Sequence, residues 1–185
     1  MGFKNYLPST AQKFPYYLYD AITLKASAKR AQAIIISSPL EYEDALEFGI
    51  SKDKIHVIPM GIDIEDIKQE NFLSNKLQLL FVGRIARVRR VELILQAVSQ
   101  LRIPFHLTIA GSEEKTSSVT RAGYLDELKQ FTKQLNLESK VSFLGKKTSL
   151  ELKTIYQSSD IFIYPSLYEN FGQPLIEAAA NGLPL

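Results

Sequence analysis

The sequence predicts an α/β fold built on a parallel sheet. Three observations carry this reading. Apolar runs of strand length alternate strictly with segments of helical periodicity. Glycine or proline follows the strand-like runs at Gly83, Gly111, Gly145 and Pro165. The stretch SLYENFGQPLIEAAANGLPL, Ser166 to Leu185, then opens a helix directly behind a glycine-containing turn. Ligands of such sheets meet the C-terminal ends of the strands, so these closing residues mark the expected binding edge.

The elements follow in order. From Pro15 to Arg30 apolar residues recur at Tyr16, Leu18, Tyr19, Ile22, Leu24 and Ala28, a helical spacing, and Ala33 to Ile36 reads as a short buried strand. Ser37 and Ser38 open a helix from Pro39 to Phe48, with Gly49 where a capping glycine belongs. Ile55 to Ile58 is a strand that ends at Pro59, and the polar stretch from Asp63 to Lys76 is a connector. The alternation then restarts with strand Leu77 to Val82, loop Gly83 to Arg90 and helix Val91 to Leu101. Strand Phe105 to Ala110, helix Tyr124 to Leu135, strand Val141 to Leu144, helix Ser149 to Ser158 and strand Ile161 to Tyr164 follow. The last helix runs from Pro174 to Asn181, and Leu183 to Leu185 reads as the start of a further strand. A doubly wound sheet of four strands is small, and the helix and one and a half units before residue 62 do not bury a sheet between two helical layers. The chain is therefore expected to be truncated at both ends.

At 185 residues the chain has room for one large domain, or for one small domain and part of another. With 45% hydrophobic and 23% charged residues it is expected to fold throughout, outside the compositional range of disorder. A formal net charge of +2 gives no footprint for nucleic acid, and the basic residues scatter except at Arg84, Arg87, Arg89 and Arg90. Without cysteine there is neither a disulfide framework nor a thiolate metal site. The opening MGFKNYLPSTAQKFPYY is too polar for a signal peptide, and no run of about 18 apolar residues occurs. No membrane span and a cytoplasmic location are expected.

The chemistry concentrates in two stretches. In ENFGQPLIEAAANG, the backbone N–H groups of Asn170, Phe171, Gly172 and Gln173, with the positive end of a helix dipole behind them, form an anion site that needs no lysine. Glu169 precedes this turn and Glu177 lies about one turn into the helix. Carboxylates repel phosphate but accept sugar hydroxyls in pairs. Taken singly, Glu169 also reads as a helix cap and Glu177 as a partly exposed helical residue. In FVGRIARVRR, a strand ends at Gly83 and arginines follow, so that Arg84 and Arg89 could reach a diphosphate held at the helix end. The guanidinium fork suits phosphate oxygens. Arg87 and Arg90 read as a solvated basic loop. His56 and His106 stand in strand-like runs and read as structural. No His/Cys cluster and no DxD-like pair offers a metal site.

These stretches, with VIPMGID, IAGS and VSFLGKK, resemble in order and spacing the retaining glycosyltransferases of family 4, whose GT-B fold pairs two Rossmann-like domains around a cleft. The most specific motif is the pair of glutamates with seven residues between them around a Phe-Gly turn. The ending EAAANGLP is also similar to the sucrose-phosphate synthase branch. The resemblance implies that Glu177 binds the ribose hydroxyls of a nucleotide sugar and Glu169 a hydroxyl of the transferred sugar. The amides near Phe171 and Gly172 would meet sugar and diphosphate, and Gly145 and Lys146 would meet the nucleobase. Arg84 matches the family's arginine after glycine. The family's usual lysine and the glycine after it are here Arg89 and Arg90.

The resemblance thus implies residues 1–65 as the tail of an acceptor-side domain, 66–73 as a linker and 74–185 as most of a donor-binding domain. It implies metal-independent transfer from a UDP-, GDP- or ADP-sugar, with no separate cofactor, to a sugar, sugar-phosphate or lipid-linked acceptor. The acceptor site would lie in the missing domain, through which peripheral membrane contact is also possible, and this chain alone would bind donor without turning it over. A nucleotide-sugar epimerase of the same fold is the alternative enzyme, and a non-catalytic nucleotide-binding module the alternative from another class. An oxidoreductase is excluded, because no G-x-G-x-x-G follows the first strand.

Overall fold

In the computed structural model the described residues are 14, 17–62, 75–113 and 123–185. The expected linker 66–73 and the first residues of the expected helix from Pro15 lie outside them. The chain divides into two compact units, Met1–Gly61 with Tyr168–Phe171, and Ile62–Leu167 with Gly172–Leu185.

In the first unit a π-helical turn, Asp20–Leu24, runs into α1 (Lys25–Arg30). β1 (Ile34–Ile36), α2 (Pro39–Glu47) and β2 (Ile55–Val57) follow. β1 and β2 pair in parallel with Ile34 opposite Ile55, and Ile36, Ile50 and Ile55 form a small core. The start of α2 is fixed as its serines suggest: Ser38 Oγ accepts from the Glu41 N–H at 3.4 Å, and the Glu41 carboxylate accepts from the Ser37 N–H at 2.7 Å.

The second unit contains β3 (Leu77–Val82), α3 (Val91–Ser99), β4 (Phe105–Ala110), α4 (Tyr124–Gln134), β5 (Val141–Gly145), α5 (Ser149–Gln157), β6 (Ile161–Phe162) and α6 (Gln173–Ala180). Its strands form one parallel sheet in the order β5-β4-β3-β6. The alternation of side chains along β3 builds two cores. Leu79 and Phe81 pack with Val91, Ile94 and Leu95 of α3 and Leu128 of α4, while Leu80 and Val82 pack with Tyr156 of α5 and Ala178 of α6. Both faces are thereby covered from Leu79 to Val82, which is why that part of β3 reads as an unbroken apolar run.

Most boundaries shift from the expected ones by one or two residues, and two of the shifts have a clear physical reason. β6 stops at Phe162 rather than Tyr164: Ile163 still donates to the Leu80 carbonyl at 2.8 Å, but Pro165 has no N–H to continue a ladder. Gln173 takes the first helical position of α6 and Pro174 the second. At the other end of α6, Gly182 has φ +75°, and its N–H and that of Leu183 donate to Ala179 and Ala178 at 2.9 and 3.0 Å. Such a left-handed cap favours glycine, and it turns the buried Leu183 into the second core. Pro184 O then accepts from the Phe162 N–H at 2.9 Å, so the expected further strand meets β6 through this bond while its residues remain outside the strand ladder.

Arg90, directly before α3, takes φ +54°. An L-residue there carries a left-handed strain of about 1–2 kcal/mol, from which the greater unfolded-state freedom of glycine subtracts roughly 0.5–1. Arg90→Gly is therefore expected to raise stability by about 0.5–1 kcal/mol in urea unfolding, and a loss would show that the Arg90 side chain makes a compensating contact.

Candidate functional site

The sheet order places the site. β4 and β5 lie on one side of β3 and β6 on the other, so the chain changes direction between β3 and β6. The loops that leave the C-terminal ends of these two strands are Gly83–Arg90 and the segment from Ile163 onward, and the crevice between such loops is where doubly wound sheets bind ligands. The two are tied together: the Leu167 N–H donates to the Val88 carbonyl at 2.9 Å, and Arg89 Nη1 donates to Ser166 Oγ at 2.8 Å.

The arginines of this loop separate by environment. Arg87 is held by Glu127, with Nη2 donating to both carboxylate oxygens at 2.6 and 2.7 Å, and its guanidinium lies over the Tyr124 ring. The Glu127 hydrogen bond holds its pKa above the ordinary guanidinium value. The sequence expectation of a merely solvated Arg87 is corrected in that respect. Arg89 is only 9% exposed and lies over the Tyr164 ring at 5.6 Å. Burial, and secondarily the neighbouring Arg84, push its pKa down, while Tyr164 opposes them. Arg84 is exposed one residue after Gly83. Two cations thus act on one phenol.

The glycines after β3, β4 and β5 lock the strand ends together. Gly83 N–H donates to Ala110 O at 3.0 Å, Gly111 N–H donates to Gly145 O at 2.8 Å, and Ile85 N–H donates to Ser112 O at 3.0 Å. A Cβ on Gly111 would lie 1.8 Å from the Gly83 carbonyl oxygen, so only glycine fits there. Gly145 is the last residue of β5, followed by the exposed Lys146.

α6 carries Glu177, and here the structure adds partners that motif reading missed. Tyr156 Oη donates to Glu177 Oε2 at 3.0 Å, and Gln173 Nε2 donates to Oε1 at 2.9 Å. Tyr156 comes from α5, whose start is set by a reciprocal cap: the Glu151 carboxylate accepts from the Thr148 N–H at 2.8 Å and Thr148 Oγ1 accepts from the Glu151 N–H at 3.4 Å. Burial first, and then Glu177, raise the Tyr156 pKa, which keeps the phenol a donor. An aromatic row joins the two halves of the site. Tyr164 stacks on Phe81 at 5.5 Å and on Phe162 at 5.6 Å, and Phe162 packs against Tyr156 at 5.9 Å. Gly172, buried and with φ +77°, is the residue on which α6 starts.

Of the residues expected from sequence, Gly83, Arg84, Arg89, Gly145, Lys146, Gly172 and Glu177 belong to the second unit, and Glu169, Asn170 and Phe171 to the first. Glu169 and Phe171 are half-buried and Asn170 is exposed. His106 bonds to Ser142 on the neighbouring strand at 2.9 Å, a structural role, and His56 is exposed on β2. Among the described residues no three His, Cys, Asp or Glu side chains gather as metal ligands, and no helix is long and apolar enough to cross a membrane.

Comparison with known proteins decides the family, since the family model described as "Glycosyl transferases group 1" matches residues 63–185. The chain belongs to the group 1 glycosyl transferases. It is 32% identical over 168 residues to mannosylfructose-phosphate synthase from Agrobacterium fabrum, covering 82% of this chain and 36% of that protein. Sucrose-phosphate synthase from Thermosynechococcus elongatus superposes with a TM-score of 0.78 at 27% identity, over 99% of this chain and 47% of the other. Anabaena HepE in complex with UDP and glucose superposes with a TM-score of 0.75 over 92% of this chain and 48% of the other. At 19% identity that likeness speaks for the fold alone. This group 1 chain spans less than half the length of each of these proteins, and its parallel sheet is that of the GT-B glycosyltransferases.

Proposed function

We propose that the chain supplies the donor-binding half of a retaining, family 4 glycosyltransferase, and that the whole protein moves a sugar from a nucleoside diphosphate to an acceptor. The observation that carries this reading is Glu177. Its carboxylate is held from both oxygens within the second turn of a helix that opens on a glycine, in a chain of the group 1 family. In this reading Glu177 accepts from the ribose hydroxyls, and the amides of Asn170, Phe171 and Gly172 meet the diphosphate and the sugar. Arg84 and Arg89 neutralise the charge that grows on the departing diphosphate, a purely electrostatic aid to bond breaking that calls for no metal. Glu169 accepts from a hydroxyl of the transferred sugar, and Gly145 and Lys146 border the base.

Residues 1–65 then belong to the acceptor-side domain and 74–185 to the donor-side domain, and the protein works in the cytoplasm on a sugar, sugar-phosphate or lipid-linked acceptor. Membership of a transferase family gives no support to the epimerase or to the non-catalytic module.

The direct test is a titration of the chain with UDP, GDP and ADP, followed by NMR or thermal shift. UDP leads the panel because HepE was solved with it. At least one diphosphate is expected to bind. A folded sample that responds to none of them would end the donor-site reading.

A further inference from the structure

We infer that Tyr156, with Gln173, is a positioning residue that presets the Glu177 carboxylate to receive the two vicinal hydroxyls of a ribose. This deepens the donor-site reading above and rests on it. Tyr156 is 2% exposed, its ring is wedged against Phe162, and its Oη reaches Glu177 Oε2 at 3.0 Å. The other acceptor within reach, the Pro174 carbonyl, lies at 3.5 Å, at the limit of a hydrogen bond. Gln173 holds the second oxygen from one helical turn earlier, at 2.9 Å.

The geometry decides what remains for a ligand. Each carboxylate oxygen has two acceptor sites, and each has one donor already, so one site per oxygen is left. Two adjacent hydroxyls, each donating once, satisfy both. A carboxylate hung on three rotatable bonds would otherwise lose rotamer freedom on binding, and the two donors remove that cost in advance. A buried phenol needs an acceptor for its hydroxyl whatever its role, so the bond to Glu177 does not by itself distinguish positioning from packing. Tyr156 also packs in the core with Leu80 and Ala178, so the test must separate packing from positioning.

Tyr156→Phe keeps the ring and deletes the hydroxyl. Affinities of the full chain and of this variant are measured by NMR or calorimetry for UDP, GDP and ADP and for their 2′,3′-dideoxy counterparts. The wild type is expected to prefer the ribonucleotide. In Tyr156→Phe the ribonucleotide should bind about three- to tenfold more weakly while the dideoxy form stays within about twofold, because only the hydroxyl contacts depend on carboxylate aim. In a Glu177→Gln background the same change should have little further effect on that preference.

Equal loss for both ligand forms would make Tyr156 a packing residue, and an unchanged ribose preference would remove it from the site. Either result overturns the inference while leaving the donor site standing. A wild type that binds none of the three diphosphates overturns both. Should Tyr156→Phe prove unfolded by circular dichroism, Gln173→Ala, on the half-buried first turn of α6, gives the same reading. The ribose preference must fall there too, or the preset carboxylate is wrong.

Discussion

Replacing Gly111 by alanine is expected to cost about 3 kcal/mol or more, a large part of the roughly 5–15 kcal/mol that holds a domain of ordinary stability together. The added Cβ would stand 1.8 Å from the Gly83 carbonyl oxygen and 2.9 Å from its carbon, at φ +151°. Those atoms are backbone, and backbone does not swing aside as a side chain end does. Gly83 is held by its N–H on Ala110 and Gly111 by its own on Gly145, so relief requires opening the β3-β4-β5 edge. Overpacking of this kind costs about 1–3 kcal/mol and each broken buried hydrogen bond about 1–3 more. Gly145→Ala provides the comparison, since a Cβ there meets open space and only the left-handed φ of +69° is strained, at about 1 kcal/mol. Urea unfolding of both variants checks this. Similar midpoints would mean that the strand ends separate easily and do not hold the arginine loop rigidly.

The legible part of this chain was what periodicity dictates. The limits of β3 follow from a largely apolar run and those of β4 from alternating apolar residues, and the start of α2 from Ser38 before Pro39, because a side-chain cap is a local device written in adjacent residues. Glu177 stands out in the sequence as a candidate through its motif. Its partner Gln173 lies four positions earlier on the same helix face, a spacing the sequence already contains. Tyr156 and Tyr164 were not visible as site residues. They read as core aromatics, and their polar contacts are made across elements that the sequence separates widely, α5 to α6 and β6 to the arginine loop. A pairing of that kind depends on which helices share a sheet face, which periodicity does not encode. Arg90 was visible as a departure from the family glycine, but its left-handed backbone is a property of the turn into α3.

Glu177→Ala is expected to weaken binding of the free nucleoside diphosphate by about ten- to a hundredfold, whereas Glu169→Ala should leave it nearly unchanged and impair use of the sugar donor by the whole protein. The factor follows from the loss of a charged acceptor, about 1.5–3 kcal/mol, at a decade of affinity per 1.4 kcal/mol. Truncating Glu177 also removes the acceptor of the buried Tyr156 hydroxyl, whose alternative is the Pro174 carbonyl at 3.5 Å, and so costs roughly 1–3 kcal/mol of stability. Binding must therefore be compared well below the unfolding midpoint of the variant. Glu177→Gln separates the two effects, because the amide keeps the volume and one acceptor oxygen but offers N–H₂ where a hydroxyl must donate. If both substitutions lower affinity while the protein stays folded, the carboxylate charge is what the nucleotide reads. Should free diphosphate bind Glu177→Ala as it binds the wild type, with Glu169→Ala turning over donor normally, then both glutamates are structural, and binding of the donor falls to Arg84, Arg89 and the helix end alone.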